Sequence, residues 1–206
     1  MRDLSYYPLF FDLEKKTVLL IGGGHVALEK AGRLNKNGCR LRVIAPQILD
    51  GFSALEQAEL IQRTWKPEDL DDAFLVIAAT DDAEQNHQIA KIAQEKRVLC
   101  NVVDDAAYSQ AIFGSVIERG PLTIGVSTGG TSPSAAVYLK EKIAQTIPER
   151  FDEILEYLGS LRPFILETFP KSVRPKLFRA LFEACMEQGR PLGEDELKEI
   201  LAIYGR

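Results

Sequence analysis

The sequence is poor in cysteine: Cys39, Cys100 and Cys185 are the only three in 206 residues. An odd, widely spaced set excludes a disulfide scaffold and the paired spacing of a structural zinc site. It predicts reduced thiols buried as small hydrophobes in a cytoplasmic protein. Histidine is scarcer still, with only His25 and His87. Neither has a partner at ligand spacing, so no resident metal site is expected. Positive charge is also short, 25 Lys and Arg against 30 Asp and Glu, which leaves a net charge of −5. Without a basic tract the chain is not expected to bind nucleic acid, because phosphate binding needs clustered cations. A local anion pocket stays open. No apolar run approaches the ~20 residues that span a bilayer. The longest, Thr17–Ile21 and Ala73–Ala79, have the length of buried strands. The start, Met1–Ser5, lacks the basic and apolar sections of a signal peptide. No membrane or secreted role is therefore expected.

What is present is alternation. Short apolar runs at Thr17–Ile21, Leu41–Ala45, Leu60–Trp65, Phe74–Ala79 and Leu99–Val103 read as strands. Helical stripes lie between some of them. Ala27, Ala31 and Leu34 share one face of a helix over about 26–37 that ends at Gly38, and Ile89, Ile92 and Ala93 supply another. Asp81 with Glu84 reads as the cap of that second helix. Continuous rather than alternating apolar strands, with helices between them, predict an α/β fold with a parallel, doubly wound sheet. After about residue 112 the pattern changes. Ser115–Arg119 and Thr123–Ser127 read as a hairpin around Gly120-Pro121, and Ser132-Pro133 as the N-cap and first position of a helix to about Ile147. The remainder reads as helical, broken at Pro163, Pro170 and Pro175, with a last helix after Gly193. Three segments are expected: an α/β nucleotide-binding domain over 1–112, a strand-helix segment over 113–147, and a small helical domain over 148–206.

Gly22-Gly23-Gly24-His25-Val26-Ala27 fits G-x-G-x-x-G/A between a buried strand and a helix. Gly22 permits the tight turn, Gly24 lets backbone approach a pyrophosphate, and Ala27 lets the helix pack closely on the strand. The helix N-terminus offers free N–H groups to the phosphates. A Rossmann-type dinucleotide site is favoured over a glycine-rich turn of unrelated purpose. The acid usually found after the second strand is absent. That stretch reads Val43-Ile44-Ala45-Pro46-Gln47, so Gln47 is the available ribose partner. Arg40 and Arg42 leave a 2′-phosphate, and hence NADP, open beside NAD. Asn101-Val102-Val103-Asp104-Asp105 closes the fifth strand, at the edge where open α/β sheets bind ligands. Either carboxylate there can serve as a base or as a plain cap.

Taken in order, Tyr7-Pro8-Leu9-Phe10, Leu20-Ile21-Gly22-Gly23-Gly24-His25-Val26-Ala27, Ala78-Ala79-Thr80-Asp81-Asp82, Cys100-Asn101-Val102-Val103-Asp104 and Ser127-Thr128-Gly129-Gly130-Thr131-Ser132-Pro133 resemble the precorrin-2 dehydrogenase / sirohydrochlorin ferrochelatase family of sirohaem synthesis. The likeness is to its stand-alone form and to the N-terminal half of the fused sirohaem synthase. The fused form adds a methyltransferase domain, for which 206 residues leave no room. The resemblance runs along about residues 6–147. It implies oxidation of precorrin-2 to sirohydrochlorin with NAD as hydride acceptor, insertion of Fe²⁺ in some members, and a homodimer built on a Rossmann domain, a dimerisation segment and a helical domain. It implies Asp104 as the central catalytic residue. Gly22, Gly23, Gly24, His25, Val26, Pro46, Gln47 and Thr80 are implied for the cofactor. Asn101, Ser127, Thr128, Gly129, Gly130, Thr131 and Ser132 are implied for the tetrapyrrole, whose carboxylates suit a loop of glycines and hydroxyls at a helix N-terminus. Thr128 departs from the fused enzyme, which has Ser there, so that enzyme's phosphorylation is not carried over. An NAD(H)-sensing module without catalysis is the competing reading, and it needs neither Asp104 nor the Thr128–Pro133 loop.

Overall fold

The computed structural model describes residues 6–205. The stretch read above for a targeting signal, Met1–Ser5, lies outside them. Contacts divide the chain into two units, one up to Phe113 and one from Gly114.

The first unit is built on five parallel strands: β1 (Thr17–Ile21), β2 (Arg40–Ala45), β3 (Ala58–Gln62), β4 (Leu75–Ala78) and β5 (Leu99–Val102). Their order is β3-β2-β1-β4-β5. Every residue of β1 and β4 is buried. Alternate side chains serve opposite faces. Leu19, Ile21, Ile44, Val76, Ala78, Cys100 and Val102 pack with Ile89, Ala90 and Ala93 of α2 (Ala83–Lys96). Val18, Leu20, Leu41, Val43, Leu75 and Ile77 pack with Ala27, Ala31 and Leu34 of α1 (His25–Leu34). Coverage on both faces is why these strands read as unbroken apolar runs. All five carboxyl ends share one edge of the sheet. The order reverses between β1 and β4, the switch point at which such sheets bind ligands.

Several strand ends shift by one residue from the sequence reading, and three larger differences have a clear cause. β3 covers Ala58–Gln62 rather than 60–65, because its register is set by β2: Leu41 faces Ala58, and β2 runs out at Ala45 opposite Gln62. Helix α1 stops at Leu34; Asn35–Asn37 tighten into a 3₁₀ turn, and Gly38 takes the left-handed conformation (φ 66°). The cap of α2 is Asp82, not Asp81. Its carboxylate accepts from the N–H groups of Glu84 (2.9 Å) and Gln85 (3.1 Å).

The second unit opens with an antiparallel hairpin, β6 (Ser115–Arg119) and β7 (Leu122–Val126), followed by α3 (Pro133–Thr146). Three helices follow: α4 (Phe151–Thr168), α5 (Arg174–Gln188) and α6 (Glu194–Tyr204). Their core is Ile154, Ile165, Phe169, Leu177, Leu181, Cys185 and Leu192. Pro163, expected as a break, lies inside α4. Buried Ile154 and Ile165 anchor the helix on either side of it. The carbonyl it leaves unpaired belongs to exposed Gly159, where water can satisfy it. Pro175 sits in the first turn of α5, a position that needs no proline N–H.

Candidate nucleotide and substrate site

The loop Gly22-Gly23-Gly24 threads between the ends of β2 and β4. The Gly22 N–H donates to Ile44 O (3.0 Å), and the Leu49 N–H donates to Gly23 O (3.0 Å). Gly22 has φ +132°, and a Cβ there would stand 2.2 Å from Ala79 O. A Cβ on Gly23 would stand 2.1 Å from Gln47 O. These two glycines are demanded by the fold itself. Gly24 is different: its backbone is extended, and a Cβ would meet nothing within 4 Å. No side chain caps α1, and no acid occupies its first turn. The first helical bond is Leu28 N–H to Gly24 O (3.0 Å). The N–H groups of the preceding turn therefore lack a helical acceptor, and the adjacent His25 and Val26 side chains are exposed. An uncapped positive helix end beside an empty approach fits a pyrophosphate. Ala27 is fully buried, as close packing of α1 on the sheet requires.

Pro46 and Gln47 follow β2 at the same edge and are exposed. The two arginines of β2 are not available there. Arg40 opens the strand at its opposite, amino end. Arg42 is held by Glu59 (3.1 Å) and Asp72 (3.0 Å). Neither can serve a 2′-phosphate at the carboxyl edge, which removes the sequence argument for NADP.

Thr80, just past β4, is fixed by a residue that sequence reasoning missed. Its hydroxyl donates to Asn86 Oδ1 (2.7 Å), and Asn86 Nδ2 donates back to Thr80 O (3.0 Å). Asn86 is buried although polar. It sits on the apolar stripe of α2, three residues before Ile89 and seven before Ala93, and that position was the available signal.

Beyond β5 the chain turns sharply. Asp104 has φ +60°, one of three non-glycine residues with positive φ among those described. The left-handed region costs such a residue about 1–2 kcal/mol, and Asp tolerates it better than most. Asp104 is exposed, and its carboxylate has no hydrogen bond or ion pair among the described residues. Its neighbour Asp105 is fully engaged. One oxygen accepts from the Ala107 N–H (3.0 Å) and the other pairs with His87 Nε2 (2.8 Å). Asn101 is buried, and its amide donates to Ala111 O (2.9 Å). It shapes the turn and does not stand open toward a ligand. In a sheet with strands about 4.8 Å apart, Asp104 lies two strand positions, roughly 10 Å, from the end of β1.

The cysteines offer no chemistry here. All three are buried and free, and burial pushes the Cys100 thiol up to about 12. No three His, Cys, Asp or Glu residues are grouped to hold a metal among the described residues.

In the second unit, Ser127–Ser132 form a tight loop before α3. Gly129 and Gly130 have positive φ (62° and 85°). The Thr128 hydroxyl accepts from the Ser132 N–H (3.2 Å) and donates to Ser132 O (2.9 Å). Ser132 Oγ caps α3 through the Ala135 N–H (3.3 Å), and Ser127 Oγ accepts from the Gly129 N–H (3.1 Å). Three of the four hydroxyls expected to meet carboxylates, those of Ser127, Thr128 and Ser132, thus hold the loop itself. Thr131 Oγ1 has no partner among the described residues, and the space above Gly129 is open.

The family model NAD_binding_7, for NAD(P)-binding, matches residues 9–115. A second, for the central segment of sirohaem biosynthesis proteins, matches 119–146. The siroheme synthase of Zymomonas mobilis is 37% identical over 178 residues, which cover 85% of this chain and 38% of that protein. Siroheme synthase 1 of Pectobacterium atrosepticum is 35% identical over 207 residues, covering 96% and 43%. The chain thus spans about two fifths of these relatives' length. The solved structure of SirC, a precorrin-2 dehydrogenase, aligns with TM-score 0.75 at 22% identity over 97% of this chain and 98% of that one, which establishes the shared fold. The chain belongs to the NAD(P)-binding family defined by the first model, with the sirohaem-biosynthesis central segment following its nucleotide-binding unit.

Proposed function

We propose that the chain oxidises precorrin-2 to sirohydrochlorin with NAD as hydride acceptor, and that Asp104 is the general base. The observation that carries this reading is an unpartnered carboxylate, held on a strained turn at the sheet edge that also bears the uncapped glycine loop. When bound there, NAD⁺ supplies a place for the departing hydride. The chain's own residues do the rest. The backbone of Gly22–Gly24 and the first turn of α1 hold the pyrophosphate. Pro46 and Gln47 border the ribose, and Thr80, locked by Asn86, borders the cofactor at the end of β4. Asp104 takes the proton that the macrocycle releases as hydride leaves. Ser127–Ser132, with the open backbone of Gly129 and Gly130, receives substrate carboxylates. The same carboxylate at Asp104 can accept the pyrrole protons displaced when Fe²⁺ enters as a substrate, so ferrochelation is proposed as a second activity of one base. The relatives' names and the SirC fold support the tetrapyrrole. Three buried, free thiols support a reducing, cytoplasmic setting.

A homodimer is part of the same reading. Val116 on β6 and Val137, Tyr138 and Leu139 on α3 are exposed, apolar side chains that a second copy could cover, with roughly 2,000 Å² or more buried in an obligate dimer. Light scattering at micromolar concentration is expected to give a dimer. The activity is tested by anaerobic incubation with precorrin-2 and NAD⁺. NADH should appear as precorrin-2 disappears, and added Fe²⁺ should then change the tetrapyrrole spectrum. Binding of NAD⁺ without turnover would favour the sensing module.

A further inference from the structure

We propose that His87 is a positioning residue that holds Asp104 in its working conformation by clamping Asp105. The proposal rests on the reading of Asp104 as base. The excursion between β5 and Ser109 is a strained turn pinned at many points. The Val103 N–H donates to Ala78 O (3.0 Å), and the Asp105 N–H donates to Val102 O (3.2 Å). The buried Ser109 hydroxyl donates to Asp105 O (2.8 Å) and accepts from the Val102 N–H (2.9 Å). Most of these bonds lie within the excursion. The Tyr6 hydroxyl donates to Ala106 O (2.9 Å), and among the described residues the helical side chain that hydrogen-bonds the excursion is His87 of α2, whose Nε2 meets Asp105 Oδ2 at 2.8 Å.

His87 is itself fixed. Its ring stacks on Tyr108, with centroids 3.7 Å apart and planes 11° from parallel. The Tyr108 backbone belongs to the 3₁₀ turn Ala106–Tyr108 that Asp105 caps. His87 therefore grips this turn twice, once at its cap and once at its last residue. With both Asp105 oxygens engaged, residue 105 cannot shift to relieve the positive φ of residue 104. The backbone at Asp104 is held while its carboxylate is left unpaired. Helix α2 also carries Asn86, which locks Thr80 on the cofactor side. Adjacent residues of one helix thus fasten two of the loops at the site's edge.

Loss of a clamp that misplaces a base by a fraction of an ångström is expected to cost about tenfold in kcat. The experiment compares wild type, His87→Ala, His87→Gln, Asp104→Ala and His87→Ala/Asp104→Ala in the anaerobic precorrin-2 assay, with NAD⁺ affinity measured separately. His87→Ala should lower kcat with KM and NAD⁺ affinity unchanged. His87→Gln, which keeps a donor near the Nε2 position, should recover most of the rate. In the Asp104→Ala background, His87→Ala should change nothing. Amide hydrogen exchange over residues 103–109 should quicken in His87→Ala while β1 and β4 stay protected. A wild-type kcat in His87→Ala, or an equal loss with and without Asp104, overturns the proposal. If Asp104→Ala itself turns over at the wild-type rate, or wild type does not turn over, the base reading fails and the proposal with it. A slow Asp104→Ala beside a fast His87→Ala removes the proposal alone.

Discussion

Strands β1 and β7 are both five residues long, yet β1 is buried throughout whereas no residue of β7 is fully buried. The difference separates the two units. The first covers both faces of its central strands with its own helices and leaves the carboxyl edge and the edge strand β3 open. The hairpin and α3 of the second leave Val116, Val137, Tyr138 and Leu139 in solvent. A closed core can hold strain, and it does so at Asp104, where a non-glycine residue takes a positive φ.

The comparison can be broken at several places. The largest effect is expected at Gly24→Asp. Open space and an extended backbone accept the side chain, so thermal unfolding should stay near wild type while NAD⁺ binding is lost. Calorimetry on the folded variant decides it, and unchanged affinity would contradict the nucleotide assignment. Next is Leu20→Ala, in the centre of β1, which should cost about 2–5 kcal/mol in urea unfolding. Val116→Ala, on the exposed hairpin, should stay within about 0.5 kcal/mol if the protein is a monomer, so a larger, concentration-dependent loss would report the dimer. Third, Tyr138→Glu on α3 should shift light scattering toward the monomer while NAD⁺ affinity holds.

The smallest effect concerns α6. The Arg190 guanidinium, with help from the Gly193 N–H, holds the Glu196 carboxyl at about 2, below its ordinary value of 4.5. A carboxyl depressed in the folded state stabilises above its unfolded value, and that contribution is lost as pH falls through the folded value. The helical core should therefore loosen slightly between about pH 4.5 and 2. Glu196→Gln should flatten that part of an acid-unfolding curve followed by circular dichroism.

The first unit was more legible in the sequence than the second because its signals are redundant. An unbroken apolar run, a glycine triplet and an i, i+4, i+7 stripe agree on β1, its loop and α1. Strand β3 was misplaced because it lies at the sheet edge, where its register comes from β2 rather than from its own pattern. Pro163 misled because tertiary packing of Ile154 and Ile165 outweighs one lost helical bond. At the site, Gly22 and Gly24 could be given their roles from spacing alone. Gly23 could not, since its constraint is a carbonyl 24 residues away, at Gln47. The His87–Asp105 pair stayed hidden for the same reason, since it joins residues 18 apart in sequence; Asn86 left only the signal of a polar residue on the apolar stripe of α2, six residues from the Thr80 it holds. The loop Thr128–Ser132 was legible as a capped turn, but which hydroxyls it consumes internally required the geometry.

The central claim is that Asp104 is the base of an NAD-dependent oxidation of precorrin-2. Its most direct test is the anaerobic rate of NADH formation by Asp104→Ala beside wild type and Asp105→Ala, with NAD⁺ affinity measured for each. Removing a positioned base should lower the Asp104→Ala rate by about 10²–10⁴-fold, with NAD⁺ affinity unchanged, any Fe²⁺ insertion falling with it, and a much smaller loss in Asp105→Ala. Wild-type turnover of precorrin-2 by Asp104→Ala would contradict the account.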